Sequence, residues 1–97
     1  MDVERHRKAA VARALEGDGK ASLEARRAAF AGEGPESIRA LIEKVAQHAY
    51  KVTADDIAAA KQHFSEDEIY ELVVCAAYGR AERIHAAAIA AIAEAGQ

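Results

Sequence analysis

Apolar residues recur along this chain at helical spacing, and the longest run, Ser65 to Ala95, organises the rest. It reads SEDEIYELVVCAAYGRAERIHAAAIAAIAEA. Ser65-Glu66-Asp67-Glu68 has the form of a capping box, in which an N-cap serine and a glutamate three residues on satisfy each other's free backbone N–H groups. Three acids in that first turn suit the positive end of a helix dipole. Ile69, Leu72, Val73 and Ala76 then fall at offsets 0, 3, 4 and 7, one face of a helix. The pattern loosens at Gly79, which predicts a break there. Ile84, Ala88, Ala91 and Ile92, at offsets 0, 4, 7 and 8, predict a further helix.

Upstream the same signals repeat. Asp2 to Glu16 reads as a helix with a narrow stripe of Val3, Ala10, Val11, Ala14 and Leu15, which predicts loose docking. Gly17-Asp18-Gly19 ends it. Ser22 is a good N-cap for a second helix to about Ala31, with Leu23 and Phe30 seven apart on one face. Gly32-Glu33-Gly34 breaks the chain, and Pro35 suits the first turn of the next helix. Glu36 to about Tyr50 is the clearest amphipathic stretch, with Ile38, Leu41, Ile42, Val45, Ala49 and Val52 on one side. Thr53-Ala54-Asp55-Asp56 is an acidic capping box, starting a short helix to about His63 with Ile57, Ala60 and Phe64 inward. No strand-like alternation occurs, so the chain is expected to be all-α, with about five to six helices. Residues 1–34 are expected to form a helical arm and residues 35–97 the core of one domain.

Composition bears on how that core closes. The chain has 97 residues and is 52% apolar, much of it alanine, with two Phe, three Tyr and no Trp. Alanine buries little surface, so a single-chain core is thin, and small-residue helix faces favour completion by a homo-oligomer. Formal net charge is −3. Residues 1–30 hold seven Lys/Arg against five Asp/Glu, and residues 31–97 six against eleven. That mild asymmetry is no nucleic-acid footprint. It leaves two readings: a solvated basic helix, or a basic arm packed on an acidic body. The lone cysteine forms no internal disulfide and fits a reducing compartment. The charged opening MDVERHRKAA is unlike a secretion signal, and no apolar run reaches membrane-spanning length. A soluble cytoplasmic protein without membrane contact is expected.

Within residues 36–95 the order of elements resembles the AhpD-like, or carboxymuconolactone decarboxylase-like, superfamily. The resemblance is carried by SEDEIYELVV, a capped acidic helix start, and by CAAYG, a small-residue stretch ending in glycine before another helix. It implies an AhpD-like helical bundle. Redox-active members of that family carry Cys-x-x-Cys after the glycine, a histidine four residues beyond, and a glutamate about twelve residues before. On this sequence the glutamate falls on Glu68, the cysteines on Arg80 and Arg83, and the histidine on Ala87. A dithiol relay needs an attacking thiolate and a resolving thiol, and arginine is neither. Cys75 lies five residues before the first thiol position, and His85 lies about 200° around a helix from the histidine position. The peroxidase-type activity is therefore not transferred. The decarboxylase branch works without a dithiol, and it makes Arg80, Arg83 and His85 candidates to bind an anionic substrate, with Arg80 or Arg83 anchoring it and His85 or Glu68 in proton transfer; Tyr78 is a further substrate-binding candidate.

Each candidate has a plainer reading. Glu68 is a proton relay or simply the capping carboxylate. Arg80 and Arg83, one turn apart, are an anion clamp, or a surface or subunit-interface pair bridged to Glu82 of a neighbouring copy or to Glu68 or Glu71 on the preceding helix. Cys75 is a nucleophile or a buried structural thiol. His85 is an acid–base group, a metal partner of His48 or His63, or an ordinary polar residue. Tyr70 and Tyr78, eight apart, line a pocket or a helix interface. No metal-ligand spacing, phosphate loop or nucleophile elbow is present, so no metal or cofactor is expected. The leading expectation is a redox-inactive AhpD-like protein acting as an oligomeric binding or structural subunit, with a protein partner or a small anionic ligand. The alternatives are a divergent decarboxylase-type enzyme, a peroxidase-related protein using Cys75, and a helical accessory protein outside the superfamily. Whether the chain is an enzyme stays open at this point.

Overall fold

Caps written into the sequence set most of the element boundaries. A computed structural model describes residues 3–96. It holds α1 (Val3–Glu16), α2 (Leu23–Phe30), α3 (Glu36–Gln47), a 3₁₀ turn at Ala49–Lys51, α4 (Ala54–Ala60) and α5 (Glu66–Ala95), with no strand among the described residues. The protein is all-α. The expected start of α1 at Asp2 lies outside the described residues.

Both capping boxes form in full. The Thr53 and Ser65 side chains accept from the backbone N–H groups of Asp56 and Glu68, and both carboxylates accept in return from the backbone of their cap residues. Ser22 Oγ accepts from the backbone N–H of Ala25 at 3.0 Å and starts α2. Gly32, at φ +83°, takes the left-handed conformation that releases the chain after α2.

α5 is the spine of the molecule. Thirty residues make a helix about 45 Å long, which accounts for the 50 Å long axis of the molecule. α2 and α3 pack on one side of its first half, α4 on α3, and α1 across α2 and α5. The core is Ile38, Leu41, Ile42 and Val45 of α3 against Ile69, Leu72, Cys75 and Ala76 of α5, with Ala21, Ala29 and Ala60 filling in. No residue of α1 is fully buried. It is held by Leu15 and Ala14, which pack on the core, and by an ion pair from Arg7 to Glu82 of α5.

Several expected details are corrected. No break occurs at Gly79: α5 runs straight through it. Gly79 is buried, and a Cβ there would overlap the carbonyl oxygen of Phe30. The glycine serves close approach of α2 rather than a turn. α2 buries Arg26 and Ala29, whereas Leu23 is exposed, so its inner face is not the one marked by Leu23 and Phe30. α3 ends at Gln47 rather than Tyr50, because the ladder tightens into the 3₁₀ turn and Ala49 and Tyr50 face solvent. Pro35 is the N-cap of α3 rather than a residue of its first turn.

Candidate functional site

The expected site residues all lie on α5, yet the helix does not gather them. Glu68 and His85 are separated by about 25 Å of helix. Glu68 Oε1 accepts from the backbone N–H of Ser65 at 2.9 Å, which is the reciprocal arm of the capping box. His85 is exposed. Arg83 donates from Nη1 to the carbonyl oxygen of Phe30 at 2.8 Å. That oxygen belongs to the last turn of α2, whose carbonyls have no intrahelical partner. Arg83 is thus a cap for a neighbouring helix, and it does not reach Glu68 or Glu71. Glu82 is taken by Arg7. Tyr78 lines a shallow groove of about 270 Å³ with Val74, Ala77 and Ala81. The residues carried over from the resemblance do not converge on one cavity.

The remaining polar groups in the interior tie elements together. Arg26 is 6% exposed and donates to the carbonyl oxygens of Ala21 at 3.1 Å and Gly17 at 2.5 Å. Glu71 accepts from the backbone N–H groups of Lys20 at 2.8 Å and Ala21 at 2.6 Å. Burial pushes the Glu71 carboxyl up, but the N–H groups of Ala21 and Lys20 and the charges of Arg26 and Lys20 outweigh it. The carboxyl sits below its ordinary range. The α1–α2 loop is therefore clamped from both sides. Cys75 is buried, and its thiol donates to the carbonyl oxygen of Ala14 at 3.3 Å. Burial pushes that thiol up, which disfavours the thiolate form. No group of three or more His, Cys, Asp or Glu side chains able to hold a metal ion occurs among the described residues.

What the structure does assemble is an apolar surface. Because α5 is continuous, its second half does not extend the buried face of the first. Ala88 lies about 180° around the helix from Gly79. Ile84 and Ala88 instead prolong the outward face of Tyr70, Val74, Ala77 and Ala81. Tyr70, Ile84, Ile89 and Ile92 are 72%, 58%, 53% and 68% exposed. From Arg83 to Gly96 every residue is exposed, so the end of α5 stands clear of the body. Tyr70, Val74, Ala77, Ala81, Ile84, Ala88, Ala91 and Ala95 follow one another at alternating spacings of four and three. That is the heptad signature of a helix seam. Reading the run as two helices split at Gly79 hid it, although the signal was present in the sequence.

A second apolar groove, of about 340 Å³, lies beside the start of this stripe. Ile57, Ile69, Tyr70 and Val73 line it, and an exposed Lys61–Glu66 pair at 3.0 Å borders it. No helix is long and apolar enough to cross a membrane among the described residues. Comparison with protein-family models, curated proteins and solved structures gives no match to this chain.

Proposed function

We propose that the protein is an oligomeric helical subunit whose working surface is the outward face of α5, and that it carries no dithiol redox chemistry. The observation behind this reading is the exposed Ile84–Ile89–Ile92 end of α5. A helix that is apolar on nearly all sides belongs in a protein interior or interface. From Ile84 to Ala95 only His85 and Glu94 are polar. Leaving three isoleucines more than half exposed forgoes about 1 kcal/mol for each that a partner buries. The AhpD-like resemblance enters only through Arg80, Arg83 and Ala87, which stand where that family's thiols and histidine would be. An enzymatic reading has less behind it, since Glu68 and Arg83 are engaged in capping and His85 faces solvent.

Size-exclusion chromatography with light scattering tests the proposal. A mass above that of one 10.3 kDa chain, rising with concentration, is expected. A monomer at every concentration up to the millimolar range would end it.

A further inference from the structure

We infer that the partner of the α5 end is the same helix of a second copy, running antiparallel, with the two-fold axis near Ala88. This rests on the proposal of assembly through α5 and specifies its geometry. Two observations choose the orientation.

The first is shape. The seam residues in the protruding half are Ala81, Ile84, Ala88, Ala91 and Ala95. A parallel pair would set each against its own copy. The Ile84 layer would then be wide and the Ala88, Ala91 and Ala95 layers narrow. An antiparallel pair centred near Ala88 sets Ile84 against the partner's Ala91, Ala88 against its copy, and Ala81 against the partner's Ala95. Each Ile84 then meets an alanine instead of a second isoleucine, so the layers differ less in width than in a parallel pair, which suits close packing.

The second is charge. Arg80 and Glu94 lie on the same flank of the seam, about 80° and 120° from its centre line. In an antiparallel two-fold pair, like flanks face each other, and Arg80 comes level with the partner's Glu94. The symmetry makes that contact twice. In a parallel pair, opposite flanks meet at equal height. Arg80 would then lie beside the partner's Tyr78 and the partner's Glu82, whose carboxylate Arg7 already holds, and Glu94 would lie beside the partner's Ile92 with no cation in reach. α5 also ends with Glu94 in its last turns and no basic residue there, against the sign that the helix dipole prefers. The partner's Arg80 supplies the missing cation.

The contact is modest. From Ala81 to Ala95 the strip is about 21 Å long on a helix about 10 Å across. Standard interfaces bury about 800 Å² per partner, and smaller ones are weak. The pair is therefore a concentration-dependent dimer, extended where each helix tip reaches the groove lined by the partner's Val74, Ala77 and Tyr78.

Single cysteines on the exposed seam test the orientation, with the buried Cys75 left in place and the unmodified protein as background. Under mild oxidation, Ala88→Cys is expected to form a covalent dimer several-fold above background. Ala81→Cys alone and Ala95→Cys alone stay near background, and an equal mixture of the two crosslinks. If Ala81→Cys and Ala95→Cys each crosslink to themselves, the pair is parallel and the inference fails while assembly through α5 stands. If light scattering shows a dimer that none of the cysteines traps, the seam is wrong. If no dimer is present at any concentration, the proposal of assembly fails as well. In a separate arm, Arg80→Glu and Glu94→Arg each weaken association, and mixing the two proteins restores it. Equal weakening in the mixture would overturn the Arg80–Glu94 contact.

Discussion

Gly79 shows how one residue carries a packing decision. In an exposed helix interior, alanine is favoured over glycine by about 1 kcal/mol, so propensity alone predicts that Gly79→Ala stabilises α5. The structure predicts the reverse. The added Cβ would meet a backbone carbonyl, that of Phe30, which no side-chain rotation can clear. α2 must shift, and overpacking of this kind costs about 1–3 kcal/mol. Chemical denaturation should therefore show a net loss, and a gain would mean that α2 does not dock on Gly79. Arg83 acts on the same carbonyl from one turn further along. Arg83→Ala is expected to cost about 1 kcal/mol through the lost hydrogen bond. Once Gly79→Ala has displaced Phe30, removal of Arg83 should cost less than it does alone. The coupling in a double-mutant cycle reads this directly, and strict additivity would separate the two residues.

Between elements, carboxylates do the joining, and that sets the acid limit of the fold. Asp56 accepts from Lys44 Nζ at 2.8 Å and from the backbone N–H of Thr53 at 2.9 Å, tying α3 to the cap of α4. The Lys44 ammonium first, and the Thr53 N–H next, hold its carboxyl below the ordinary range. Glu71 is lowered too, by its two backbone donors against the effect of burial. A carboxyl whose folded value lies below its unfolded one adds stability above the unfolded value, about 4 for these groups, and loses it as pH falls through the folded one. Stability should hold from pH 7 to about 5 and decline below about 4. Glu71→Gln should lower the urea midpoint at pH 7 and flatten that decline. An unchanged acid slope would remove Glu71 from the account. The lowered carboxyls of Glu4 and Glu66 belong to exposed pairs and add little. These ties mark where sequence reading stops. The two capping boxes and the core faces of α3 and of the first half of α5 were legible because each is encoded within a few residues. The clamp of Glu71 on the α1–α2 loop joins positions about fifty apart, and no local pattern encodes it. Gly79 misled for the same reason, since its glycine answers a contact with α2 rather than a turn in its own segment.

At the scale of the molecule, α5 does two jobs with two halves. From Ile69 to Gly79 it closes the core, and from Ile84 onward it projects an apolar rod that this chain does not cover. The core side chains buried to 1% exposure or less include Ile38, Leu41, Ile42 and Leu72, a small set for a domain of this length. Stability of the single chain should therefore be low, and assembly should add to it by mass action. The melting temperature should rise with protein concentration, by a few degrees per tenfold once association is populated. Ile84→Lys separates the two halves. Residue 84 is exposed in the monomer, so the change leaves the core intact and should alter dilute-solution stability by less than about 0.5 kcal/mol. In a dimer it replaces the apolar Ile84–Ala91 contact of the seam with a charged side chain that burial would strip of water. The variant should keep full helical circular dichroism, run as a monomer and melt at a temperature independent of concentration. A melting temperature of Ile84→Lys that still rises with concentration would place the interface elsewhere on the molecule. Unfolding of the dilute variant would mean instead that the end of α5 supports the core of its own chain.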